Sequence, residues 1–185
     1  MSLKAIFFLL TLFSCQILGP SVGKAAESQW DSIGIRAGAN LFDPHKTSRG
    51  DFELYELFAD YALPWRWGSS TGLEWRTRLD ASAGVLKREG DKGFIGTLGP
   101  SLALRMLSGR IEIDIGEAPA YLSRHEYPER DLGGPVQFVS HIGLGVLLIE
   151  HLALGYRFEH ISNAHIYPFH NPGLNLHLLD LRYRF

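Results

Sequence analysis

Cysteine is almost missing: Cys15 is the one copy in 185 residues. It falls within the first 25 residues, so a chain that loses them has no thiol, which excludes a disulfide-stapled fold or a cysteine-built metal centre. A long apolar run is missing too. After residue 25 nothing approaches the ~18 consecutive apolar residues of a membrane-crossing helix. There is also no basic excess. The first 25 residues carry Lys4 and Lys24 and no acid, leaving 16 Lys and Arg against 20 Asp and Glu, a net charge of −4. A nucleic-acid binder would be expected to show a basic patch instead.

Residues 1–25 have the form of an export signal: basic Lys4, an apolar core from Ala5 to Phe13, and a polar stretch ending Gly23-Lys24-Ala25. Cleavage is expected after Ala25. Leu12-Phe13-Ser14-Cys15 weakly resembles a lipoprotein box, but Phe13 fits it poorly, so lipidation of Cys15 is the lesser reading. The remainder, 26–185, reads as one domain. An exported chain without a spanning helix is either a soluble periplasmic or secreted domain or an outer-membrane β-barrel.

What is present from Ile33 onward is alternation with period two, the signature of strands. Ile111, Ile113 and Ile115 alternate with Arg110, Glu112 and Asp114. Leu179, Leu181 and Tyr183 alternate with Asp180, Arg182 and Arg184. Eight such segments span 31–42, 52–64, 72–87, 93–107, 109–121, 135–148, 151–162 and 174–185. Charges of both signs sit mid-strand on the polar face, as in a membrane barrel whose apolar side chains face lipid. Alternation alone does not separate this from a soluble carrier with an apolar interior. Three further features favour the membrane. Tight turns at Ser108-Gly109 and Glu150-His151 contrast with longer polar loops at 43–51 and 122–134. Tyr61, Trp65, Trp67, Tyr156, Tyr183 and Phe185 are placed near strand ends, where interfacial aromatics belong. The chain also ends on Phe185, as the last strand of outer-membrane proteins typically ends on an aromatic. The expected fold is therefore all-β: an eight-stranded antiparallel up-and-down transmembrane barrel. Its interior is filled by side chains, which argues against a transport pore.

Parity then orients the chemistry. On 151–162, Leu152, Leu154, Tyr156, Phe158, His160 and Ser162 share the lipid-facing side, and Arg157 and Glu159 face inward. Polar side chains facing lipid are costly unless they are satisfied or near the interface. His and Ser two apart on a strand lie ~7 Å apart between Cα atoms, which puts an imidazole beside a hydroxyl as serine activation requires. A His-x-Ser pair in a strand is commonly inert; the lipid-side location is what singles this one out. A third group is needed to orient the imidazole. The same parity puts Asn175 and His177 on the lipid side of the last strand, with Asn175 level with His160. Glu159, although adjacent in sequence, points the other way.

The stretch His160-Ile161-Ser162-Asn163-Ala164, followed by Asn171-Pro172-Gly173, resembles the PagL-type lipid A 3-O-deacylases. The resemblance implies an eight-stranded outer-membrane barrel that hydrolyses the ester holding the acyl chain at position 3 of lipid A, with no metal or other cofactor. It implies His160 as general base, Ser162 as nucleophile, Asn163 as part of the oxyanion site, and Asn171 and Gly173 as residues shaping the neighbouring loop. The family's third group is a glutamate, and Asn175 stands in its place here. Asn can hold a histidine tautomer but brings no charge. The implied partner is lipopolysaccharide in the outer leaflet, and both a monomer and a homodimer remain open.

Other features have plainer readings. His160, His165 and His170 recur every five residues, but no cysteine or carboxylate cluster supports a metal site there. Arg157, Glu159, Asp180, Arg182 and Arg184 read as a structural ion network inside the barrel. Gly38, Gly84, Gly96, Gly99, Gly143 and Gly145 read mostly as small inward residues. The competing function is a non-catalytic barrel, structural or adhesive, in which His160, Ser162 and Asn175 need not converge.

Overall fold

A computed structural model of the chain describes residues 29–41, 52–68, 72–167 and 173–185. The expected export signal, His170 and Asn171 lie outside these residues. Eight long strands close into an antiparallel barrel in simple sequential order. They are β1 (Trp30–Ala39), β2 (Glu53–Gly68), β3 (Glu74–Arg88), β4 (Asp91–Met106), β5 (Ile111–Leu122), β8 (Val136–Ile149), β9 (Leu152–Ser162) and β10 (Leu174–Arg184). Between β5 and β8 a small ribbon, β6 (Glu126–Tyr127) and β7 (Arg130–Asp131), stands apart from the wall. It is too short to show any periodicity, and 122–134 reads from sequence simply as a loop.

All eight expected segments are strands, with three local differences. β2 runs on to Gly68 because a register shift between Ala62 and Arg66 absorbs Pro64, which lacks a ladder N–H. The turn expected at Ser108-Gly109 is a four-residue loop with positive φ at Leu107, Ser108 and Gly109. Long and short connections do not alternate strictly: at the end bearing the long connections, β3 and β4 join through the two-residue turn Glu89-Gly90, both at positive φ. That end is called the loop end below, and the opposite one the turn end.

The wall is inverted relative to a soluble protein. Ile35, Leu57 and Leu179 are 56%, 65% and 62% exposed on the outside. Eight carboxylates and six arginines are buried within, among the described residues. Such a surface is stable in hydrocarbon and not in water, so this is a membrane-spanning barrel. Trp30, Trp67, Trp75, Tyr183 and Phe185 lie outward toward the turn end, as an interfacial belt. Tyr156 departs from the expectation: it sits mid-strand on β9, where its hydroxyl meets the His177 Nδ1 at 2.6 Å.

The interior has two layers. Toward the turn end lies an ion network larger than the sequence suggested. Arg78 Nη1 meets Glu112 Oε1 at 2.8 Å, Arg105 bridges Asp31 and Glu112 at 2.6 and 2.7 Å, and Arg182 holds Asp180 at 2.7 Å. Arg157, Glu159 and Arg184 belong to the same network, and Arg184, 3.9 Å from Glu112, also bonds the Gly109 carbonyl at 2.7 Å. Toward the loop end the inner face is apolar, with Leu54, Leu86, Ile95, Leu122, Ile161, Leu174, Leu176 and Leu178 packed in one cluster. Of the six glycines read as inward, Gly96 is on the outward face, where an added Cβ would meet the Phe94 ring. Gly143 makes room for the network, since a Cβ there would lie 2.5 Å from the Asp114 Oδ2.

Candidate active site on the outer wall

The last residues of β9 and the first of β10 are held from behind by that apolar cluster: Ile161, Leu174 and Leu176 point inward and are fully or almost fully buried. Their alternate neighbours therefore point out. His160, Ser162, Asn175 and His177 all fall on the outer face, each half-buried. The expected orientation holds for all four.

Asn175 and His160 are direct cross-strand partners. The imidazole Nδ1 lies 2.6 Å from the Asn175 Oδ1. The amide oxygen can only accept, so the ring donates through Nδ1–H and keeps Nε2 as an acceptor, the tautomer a general base requires. Ser162 is the next outward residue on β9, ~7 Å along the strand by its rise. Glu159 is confirmed as unable to serve His160: it faces inward, against Arg36 at 3.1 Å and Arg157 at 3.8 Å.

Gly173 sits across from Ser162, one step beyond the Leu174–Ile161 pair. Its φ is +58, and a Cβ there would stand 2.9 Å from the His160 Cε1. Gly173 thus provides both the left-handed turn into β10 and the space for the imidazole. Arg130 of β7 donates to the Gly173 carbonyl at 2.7 Å, tying the small ribbon to this corner. The ribbon itself is closed by Asp131, which accepts from the Gly133 N–H at 2.8 Å and faces the His125 ring at 3.2 Å; these two hold its carboxyl below the usual carboxylate range.

Asn163 is elsewhere. Being one residue past Ser162, it turns inward and is fully buried. Its amide Nδ2 donates to the Leu132 carbonyl at 3.5 Å, and its Oδ1 accepts from the His165 N–H at 2.9 Å. The side chain implied as an oxyanion donor is thus bonded to neighbouring backbone on the inner face.

Two groups of metal-ligand side chains converge among the described residues, and neither involves His160. Asp80, Asp114 and His141 meet inside the barrel, where Arg157 stands 3.2 Å from Asp114 and 3.7 Å from Asp80 and supplies the counter-charge. His125, Glu126 and Asp131 meet on the loop-end ribbon. His165 is exposed beside the site and shares no such cluster.

Residues 53–184 match the family described as "Lipid A 3-O-deacylase (PagL)". The chain is 31% identical over 133 residues to the lipid A deacylase PagL of Bordetella bronchiseptica, covering 68% of this chain and 74% of that protein. The fold is similar to the crystal structure of the outer membrane enzyme PagL, with a TM-score of 0.67 at 18% identity, over 83% of this chain and 99% of the other. The chain belongs to the PagL family of lipid A 3-O-deacylases.

Proposed function

We propose that this protein is an outer-membrane serine esterase that removes the 3-hydroxyacyl chain from position 3 of lipid A. The observation that carries the reading is the 2.6 Å contact between His160 and Asn175 on the lipid-facing wall, with Ser162 next along the same face. In this reading residues 1–25 direct export, the chain ends lie on the periplasmic side, and the loop end projects outward. Ser162 then lies at the height of the outer-leaflet sugar headgroups.

The reaction is acyl transfer. His160 takes the hydroxyl proton through Nε2 as Ser162 Oγ attacks the ester carbonyl. Asn175 holds the ring in place and accepts from Nδ1–H throughout. With the Asn163 amide turned inward, the oxyanion donors in this reading are backbone N–H groups next to Ser162, at the corner that Gly173 shapes. The imidazolium returns its proton to the departing sugar oxygen. Water, deprotonated by His160, then releases the fatty acid and restores Ser162.

The test is mass spectrometry of lipid A from cells producing the wild type or Ser162→Ala. The wild type is expected to remove one 3-hydroxyacyl chain and the variant none. Unchanged lipid A in both favours a non-catalytic barrel, and equal loss in both removes Ser162 from the nucleophile's role.

A further inference from the structure

Ladder pairing from Glu117 on β5 runs to Ser140 on β8, to His160 on β9 and to Asn175 on β10. All four side chains point outward. Across a gap in the β4–β5 ladder the same register sets Pro100 of β4 opposite Glu117; Pro100 pairs Leu79 on β3, Leu79 pairs Tyr61 on β2, and Tyr61 pairs Trp30 at the turn end of β1. The row thus climbs from the turn end of β1, through the middle of β2, to the loop end at β10. The strands are tilted accordingly, and a line dropped from Ser162 along the barrel axis leaves β9 and crosses β8 and then β5. It passes Ser140 and reaches Glu117, about 10 Å nearer the middle of the wall by strand rise, spacing and a typical tilt.

This is an unusual place for polar groups. Glu117 and Ser140 are exposed to the hydrocarbon, and among the described residues neither side chain has a hydrogen-bond or ion-pair partner. Glu117 also sits where the β4–β5 ladder lapses: pairing stops at Thr97–Ala120 and resumes at Ser101–Gly116. Pro100 and Pro119, both outward, lack the N–H groups that would close it. The gap thus interrupts the ladder beside an acceptor side chain on a lipid-facing wall. An ionisable residue inside a membrane is by default a functional candidate. The group does not serve the imidazole, which is turned toward β10 by Asn175 and Gly173.

We propose that Ser140 and Glu117 form a subsite that reads the 3-hydroxyl of the acyl chain being removed. The proposal rests on the esterase reading above. When the ester carbonyl is at Ser162, the acyl chain descends along the axis over β8 and β5. Its 3-hydroxyl, two carbons below the carbonyl, is the first polar group on that path. Ser140 is the diagonal neighbour of Ser162, ~7–8 Å away between Cα atoms, and its hydroxyl accepts from or donates to the substrate hydroxyl. Glu117, next in the row, accepts from Ser140 or reaches the substrate directly. A chain without the hydroxyl leaves these groups unpaired, which is how a site built to bond a hydroxyl rejects the analogue lacking it.

The experiment uses the purified full-length protein in non-ionic detergent micelles. The probes are two synthetic glucosamine lipids, one carrying a 3-O-(3-hydroxytetradecanoyl) chain and one a 3-O-tetradecanoyl chain. The wild type is expected to cleave the hydroxylated ester at least about tenfold faster in kcat/KM, the scale of one hydrogen bond. Ser140→Ala and Glu117→Leu should bring the ratio near one by slowing that ester alone. Glu117→Leu replaces an unpaired carboxylate with a lipid-compatible side chain, so it should fold at least as well as the wild type. A wild-type ratio near one, or equal slowing of both esters by the variants, overturns the subsite and leaves the esterase standing. Failure of the wild type to cleave either ester overturns both.

Discussion

The His160 imidazole is held by an amide and not by a carboxylate: Asn175 Oδ1 stands 2.6 Å from Nδ1. The geometry selects the right tautomer, but no negative charge offsets the imidazolium that forms during attack. Asn175→Asp keeps the contact and adds that charge. It is expected to raise kcat by about tenfold, whereas Asn175→Ala should lower it by about ten- to a hundredfold by freeing the ring. Steady-state kinetics of the two variants on one lipid A substrate decides this. A slower Asn175→Asp would mean that the site is built around a neutral partner.

Gly173 carries two demands that no other residue meets. Its φ of +58 favours glycine, and a Cβ would press on the His160 ring at 2.9 Å. Gly173→Ala is expected to reduce kcat by at least about tenfold while leaving a folded barrel, because the rest of β10 keeps its ladder. Unheated electrophoretic mobility reports the fold and single-turnover kinetics the chemistry. Full activity in Gly173→Ala would show that the ring position tolerates displacement.

How much of this was readable in the chain differs by residue. The outward set on β9 follows from parity alone, because Tyr156, Phe158, His160 and Ser162 alternate with residues whose charge or bulk marks the inside. The contact to Asn175 needed only the adjacent strand's parity. The role of Asn163 was less accessible: motif resemblance put it at the oxyanion, while strand geometry turns it to the opposite face. Ser140 and Glu117 gave no signal, since their meaning depends on the register of three strands and the tilt of the barrel. The apolar loop-end layer was also hidden. There Leu174, Leu176 and Leu178 share the inner face while Leu179 lies outside, so alternation fades where both faces are apolar.

Asn163 is expected to matter through the loop it anchors. Its amide joins the Leu132 carbonyl to the His165 N–H, linking the β5–β8 and β9–β10 connections across the loop end. Asn163→Ala removes both bonds from a fully buried position, at a cost of about 1–3 kcal/mol. Urea titration should show that loss, and activity should fall less than for Ser162→Ala. Loss as complete as in Ser162→Ala, with unchanged stability, would instead make Asn163 a direct participant.

The interior network and the outer-wall site are separated by the barrel wall, so stability and catalysis should respond to different residues. Arg78 is fully buried and lies within 4.0 Å of Asp31, Asp60, Asp80, Glu112 and Asp114. Eight buried carboxylates already outnumber six buried guanidiniums among the described residues. Arg78→Met therefore leaves a cluster of acids with less compensation, which is the costly way to break a buried ion network, at about 3–5 kcal/mol. Thermal and urea unfolding in detergent should show a large loss. At temperatures where the variant is still folded, kcat on lipid A should stay within about twofold of wild type, because no residue of the network touches the outer face of β9 or β10. A matching fall in kcat without loss of stability would show that charge inside the barrel is felt at Ser162, and that the wall does not insulate the two.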